Sequence, residues 1–223
     1  MTKVYGDFDQ ETLDSEFLIS KTVPDLQVFI DEYARLSAEA RTTMDCRENV
    51  STGDHPDQVV DIFPAKGKDG GAAPVFVFIH GGYWRMLSQK ESSFMAPNMV
   101  GNGIAVVTVN YSLAPGASLD TIVRQCREAI AWTWHNAADF GGDPDKVTIF
   151  GESAGGFSVC QHLASPASNG LFSRAIVESG DCDGPWLLQA GADAKRFGDS
   201  GATARSEAHT SELPALAHLV CRL

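Results

Sequence analysis

The runs PVFVFIH (residues 74–80) and IAVVTVN (104–110) are unbroken stretches of β-branched and aromatic residues, the pattern of strands buried on both faces of a parallel sheet. VVDIFPA (59–65) alternates instead, as a half-exposed strand does, and KVTIF (146–150) and RAIVES (174–179) read as two further strands. Helical spacing fills the intervals. PDLQVFIDEYARLSAEAR sets Leu26, Phe29, Ile30, Tyr33 and Leu36 on one face, with Pro24 near its start. SLDTIVRQCREAIAWTWHNAADF sets Ile122, Cys126, Ala129 and Ile130 on one stripe and stops at Gly141 and Gly142; a third helix is expected over 154–164. Strand and helix alternating in this way predict an α/β fold with a mostly parallel, doubly wound sheet. There is no internal repeat, and only KGKDGGAAP (66–74) reads as a flexible loop.

Composition narrows the function. A chain of 223 residues, 43% apolar, is long enough for one sizeable core. Its net charge of −12 repels nucleic acid and anionic membrane, which leaves a small molecule as the expected partner and says nothing of oligomeric state. The cysteines (Cys46, Cys126, Cys160, Cys182, Cys221) are odd in number and lack the paired spacings of zinc sites, so reduced, packed thiols and no metal are expected. No organic cofactor is implied either. The opening MTKVYGDFDQ has no apolar core of a signal peptide, and no window has the ~18 apolar residues of a spanning helix, which points to the cytoplasm.

The chemistry lies in two glycine-rich corners. In FGESAGG (150–156), Ser153 is flanked by glycines two positions away on each side, directly after a strand and before a helix. That context turns a serine hydroxyl outward at the sheet's C-terminal edge, and it aims the Ala154 amide and the helix N-terminus at a developing oxyanion. The rival reading is a serine that merely caps the helix. In HGGYW (80–84), at the end of another strand, Gly81 and Gly82 expose consecutive amides and are the other expected oxyanion donors. Tyr83 and Trp84 stand beside them, as pocket walls or as ordinary core.

These motifs resemble the α/β-hydrolase superfamily. Within it, ETLDSEF, VPDLQVFIDEY, VVDIFPA, FIHGGYWR, VNYSLAP, REAIAW and GGDP (residues 11–142) resemble arylformamidase-like and small-esterase hydrolases. DPDKVTIFGESAGGFSV, HLASP, GLFSRAIVESG and PWLLQ (143–200) are similar to type-B carboxylesterases, which suggests a chimeric junction near Gly142 to Lys146. The resemblance implies a serine hydrolase of carboxylic esters working through an acyl-enzyme on Ser153. N-formyl amides of aromatic amines are the alternative substrates, and a fragment or binding module without catalysis is the alternative of another class.

A serine nucleophile needs a histidine base and an acid to orient it, in the chain order serine, acid, histidine. Of the histidines after Ser153, His162 lies nine residues on in the same helix, roughly 13 Å along its axis, too far to reach the hydroxyl. His80 resembles the superfamily's loop histidine, a support and not a base. His209 sits in RSEAHTSEL (205–213), which matches the translation of a common sequencing-library adapter at eight of nine positions. The expectation is therefore a truncated α/β-hydrolase domain over residues 1–204 and a non-native tail over 205–223, with His209, Asp181 and Asp183 as weak candidates for base and acid. RAIVES would then form an open apolar edge, and the chain would be poorly soluble.

Overall fold

The computed structural model describes residues 3–17 and 23–182. They begin with a small antiparallel ribbon, β1 (Lys3–Tyr5) and β2 (Phe8–Asp9), and a short helix, α1 (Gln10–Phe17). The main body is a six-stranded sheet formed by β3 (Arg47–Ser51), β4 (Val59–Phe63), β5 (Ala73–Ile79), β6 (Ala105–Val109), β7 (Gly142–Glu152) and β8 (Arg174–Glu178). Its order is β3-β4-β6-β5-β7-β8; β6, β5, β7 and β8 run parallel, and β3 and β4 join antiparallel at one edge. The expected doubly wound sheet is present. Every position of β6 is buried, and in β5 all but Pro74 are, as their unbroken apolar runs require.

The alternating strand differs from expectation. β4 is buried from Val60 to Phe63, Asp61 included, because it lies inside the sheet between β3 and β6. The Asp61 carboxylate faces a cluster of charges instead of water. It accepts the Asn49 amide at 2.8 Å and the Lys90 ammonium at 3.1 Å, with Arg41 at 4.0 Å. A buried carboxylate so satisfied leaves the same alternation in sequence as one that faces solvent.

Helices α2 (Leu26–Thr43) and α3 (Ala96–Gly101) pack Ala40 and Ala96 on one face of the sheet, against Phe63 and Val106. α4 (Leu119–Asn136) and α5 (Ala154–Ala164) cover the other face. The predicted stripe of α4 is the buried one, with Ile122, Cys126, Ala129 and Ile130 all at 0% exposure. Ser118 caps its start by accepting the Thr121 amide, and Gly141, at φ 80°, closes its C-terminal 3-10 turn in the left-handed region that glycine adopts freely. α2 departs from expectation: Leu26, Phe29 and Tyr33 are exposed, and burial is confined to Ser37 and Ala40. Only the C-terminal half of that helix meets the sheet, so its periodic apolar face overstates its contact with the core.

Two loop expectations also change. Residues 66–72 form a tight hairpin, closed by the Lys66–Ala72 bridge and the Gly67 amide on the Gly71 carbonyl at 3.0 Å. Cys160 and Cys182 are joined in a disulfide, not reduced thiols, while Cys46 and Cys126 are free and Cys221 lies outside the described residues. Their 22-residue separation conceals the pairing in sequence. It arises because α5 and the chain after β8 pack so closely that a Cβ on Gly180 would stand 2.8 Å from the Gly156 carbonyl carbon. Among the described residues no helix is long and apolar enough to cross a membrane.

Candidate active site

The parallel strands β5, β6, β7 and β8 deliver their C-terminal ends to one edge of the sheet, and both glycine-rich corners are there. Ser153 follows β7 directly, with φ 52° and ψ −120°. A left-handed φ on a residue with a side chain costs about 1–3 kcal/mol and persists only where the surroundings impose it. Here the Ser153 amide donates to the Glu178 carbonyl at 2.9 Å and its own carbonyl accepts the Phe157 amide at 3.0 Å. Ser153 occupies the N-cap position of α5, yet its side chain makes no capping bond. The helix-cap reading thereby fails.

Two glycines make the turn sterically feasible. A Cβ on Gly151 would lie 2.1 Å from the Gly155 carbonyl oxygen, and one on Gly155 would lie 2.0 Å from the Ile79 carbonyl oxygen. Ala154 begins α5, buried, with its amide in the helix's unsatisfied first turn. Gly81 closes the site from the β5 side: a Cβ there would stand 3.1 Å from Ser153 Cβ and 2.7 Å from Glu152 Oε2. Strands β5 and β7 pair, so the loop after one must abut the turn after the other.

Beyond Gly81 the chain runs left-handed, with φ of 93° at Gly82, 56° at Tyr83 and 57° at Trp84. The Gly82 carbonyl accepts the Arg85 and Met86 amides at 2.9 and 3.1 Å, and the Trp84 carbonyl accepts the Ala114 amide at 2.7 Å. Tyr83 and Trp84 have separate fates. Trp84 braces the loop against α5: its indole N–H donates to Ser158 Oγ at 3.2 Å and its ring tilts against Phe157. Tyr83 is 58% exposed beside the loop.

The titratable groups around this edge divide by burial. His80 is fully enclosed, its Nδ1–H donates to the Gly81 carbonyl at 2.9 Å, and its ring stacks on Tyr111 at 4.1 Å. Burial pushes its pKa down to about 4, so the ring is neutral. His162 is likewise buried beside Ser168, its pKa pushed down to about 4 by burial and by Arg127. Both are packed, buried histidines, as expected. Partial burial, and then Glu178, raise the pKa of Glu152. A histidine–carboxylate pair does form between His55 and Asp57 at 3.5 Å, but its hydroxyl neighbour is Ser112, not Ser153.

Of the weak candidates, Asp181 lies three residues past the end of β8, next to Cys182. Asp183 and His209 lie outside the described residues. Among the described residues no group of three or more His, Cys, Asp or Glu is placed to hold a metal. Sequence reasoning missed Tyr111. Its hydroxyl donates to the His80 carbonyl at 2.8 Å and reaches the Gly81 carbonyl at 3.3 Å; in sequence it showed only as a tyrosine just after a buried strand, inside the VNYSLAP run.

Comparison with known proteins places the chain by family and fold. Acylcarnitine hydrolase of Mus musculus is 42% identical over 128 residues, which is 52% of this chain and 22% of that protein. Para-nitrobenzyl esterase of Bacillus subtilis is 41% identical over 119 residues, 48% of this chain and 24% of its own. The Geobacillus stearothermophilus carboxylesterase EST55 superposes with a TM-score of 0.52 at 30% identity, over 60% of this chain and 33% of that one. A Silicibacter structure described as a thioesterase shares the fold, with a TM-score of 0.67 at 24% identity, over 86% of this chain and 73% of its own. The chain spans about a quarter or less of the length of these two curated relatives. The model of the carboxylesterase family matches residues 58–213, from β4 through both glycine corners, and the chain belongs to that family.

Proposed function

We propose that Ser153 is the nucleophile of a serine hydrolase acting on small-molecule carboxylic esters. The observation that carries this reading is the serine itself, held left-handed, not spent on a helix cap, and touching the Gly81 corner. In the reaction, Oγ bonds to the acyl carbon while its proton passes to a base, and the carbonyl electron pair moves onto oxygen. Amides of Gly81, Gly82 and Ala154 receive that charge in a dry, preorganised setting. The C–O bond to the alcohol then breaks, the alcohol leaves with a proton, and water repeats the sequence on the acyl-enzyme. The base and acid are not identified among the described residues. Acylcarnitine hydrolase and para-nitrobenzyl esterase, by name, act on esters, which supports ester over formamide chemistry. The exposure of Tyr83 beside the oxyanion loop supports a part for it in meeting the substrate. For location, the Cys160–Cys182 disulfide supports an oxidising compartment over the cytoplasm.

The test is labelling of the purified chain with a fluorophosphonate, which reacts only with an activated serine, together with hydrolysis of p-nitrophenyl butyrate and of an N-formyl aromatic amine. Labelling lost in Ser153→Ala, with the ester turned over faster than the formamide, is the expected result. Faster formamide turnover would shift the substrate class. Absence of labelling in the wild-type chain would leave the inert binding-module reading.

A further inference from the structure

We infer that Tyr111 is a positioning residue of the oxyanion loop, an inference that rests on the esterase reading above. Tyr111 follows β6, is 1% exposed, and lies beside the end of β5 because β5 and β6 pair in parallel, Ile79 opposite Val109. Its hydroxyl donates to the His80 carbonyl at 2.8 Å, with the Gly81 carbonyl at 3.3 Å. The Gly81 carbonyl is also the acceptor of His80 Nδ1–H at 2.9 Å, and the His80 ring lies flat on the Tyr111 ring, 9° from parallel. The phenol therefore reaches two successive carbonyls, and the imidazole holds the second of them.

The consequence follows from the planarity of the trans peptide. The N–H of one residue points opposite to the C=O of the residue before it. Holding the His80 carbonyl fixes the direction of the Gly81 N–H, and holding the Gly81 carbonyl fixes that of the Gly82 N–H. Glycines cannot hold those directions unaided, since their φ and ψ range widely. The two amides proposed to receive the oxyanion are thus aimed from behind, by a side chain that never meets substrate. Preorganisation of this kind lowers the transition state without tightening ground-state binding, so its loss falls on kcat and spares KM.

Tyr111→Phe keeps the ring and its stack on His80 and removes only the hydroxyl. Thr133→Val is the matched control, since Thr133 is fully buried and its hydroxyl donates to the Ala129 carbonyl at 2.8 Å within α4. Turnover of p-nitrophenyl butyrate is measured per fluorophosphonate-titrated serine. In parallel, NMR on protein carrying carbonyl-13C histidine and 15N glycine reports the His80–Gly81 peptide alone, because the sequence holds one His-Gly pair.

The expected result for Tyr111→Phe is a tenfold to hundredfold fall in kcat, with KM within about twofold of wild type. The His80 carbonyl signal should also shift and Gly81 amide exchange should quicken. Thr133→Val should keep wild-type kcat at whatever thermal midpoint it has. Wild-type kcat in Tyr111→Phe with an unmoved Gly81 signal overturns the inference, as does an equal fall in kcat for both variants. If the wild-type chain is no better a catalyst than Ser153→Ala, the esterase reading fails. The Gly81 signal then still decides the positioning: moved in Tyr111→Phe it supports the inference, unmoved it overturns it.

Discussion

Replacing Gly155 by alanine puts a methyl group where main chain already stands. Its Cβ would lie 2.0 Å from the Ile79 carbonyl oxygen and 2.8 Å from that of His80, whereas real Cβ atoms keep to 3.0 Å or more. The first turn of α5 must retreat from the end of β5 by about 1 Å, because neither partner is a side chain that can swing aside. Ser153 lies two residues before Gly155 and moves with that turn, away from Gly81 on β5's loop. Overpacking of this kind costs ~1–3 kcal/mol, of which alanine's better helix propensity returns ~1. The catalytic loss is larger, since a displacement of ~1 Å between reacting groups costs on the order of a hundredfold in rate. The assay is the second-order rate of Ser153 labelling by a fluorophosphonate, alongside the thermal midpoint. Gly101→Ala, where nothing lies within 4 Å of the new Cβ, is the control expected to match wild type. A Gly155→Ala protein that labels at the wild-type rate with an unchanged midpoint would refute this account of the turn.

Reducing the Cys160–Cys182 bond, or replacing both cysteines by serine, should lower stability by about 3 kcal/mol for a loop of 22 residues, read as the denaturant midpoint with and without reductant; no change would sink this. The buried neutral histidines set a pH dependence. Below their ordinary value of 6.5 the unfolded rings of His80 and His162 take up protons that the folded rings refuse until about pH 4. Stability is therefore lost as pH falls from 6.5 to 4, on the order of 3 kcal/mol per ring, and flattens below. Denaturant titrations of His162→Gln should show a shallower slope over that interval, and an unaltered slope would contradict the burial argument.

The sequence disclosed most where one residue type has one physical use. Ser153 between Gly151 and Gly155 is such a case, since each glycine's hydrogen fills a gap that no Cβ fits, and so is the Ile122–Ile130 stripe, which has no destination but the core. It was opaque where distant segments meet. Asp61 looked solvent-facing because its partners Arg41, Asn49 and Lys90 come from three other places in the chain. Cys160 and Cys182 looked unrelated until α5 and the end of β8 were packed together. Tyr111 stood inside the VNYSLAP run without any sign of its partner; its contact with the His80 carbonyl exists only through the parallel pairing of β5 with β6. Along α2, Phe29 and Tyr33 kept the period of a buried face without the burial.

The left-handed residues have a consequence for anyone seeking a hardier variant. Of the six non-glycine residues with positive φ among those described, Tyr83, Trp84, Leu87, Ser153 and Ser179 all follow β5, β7 or β8 at the edge that holds Ser153, and only Asn49 lies elsewhere. Each carries a backbone cost of about 1–3 kcal/mol. A screen for heat resistance that ignores activity will be drawn to these positions, because that is where stability is cheapest to recover. If the proposed esterase reading holds, the thermal gains it collects there will come at the expense of turnover, and selection for durability alone will dismantle the Ser153 edge before it exhausts the rest of the protein.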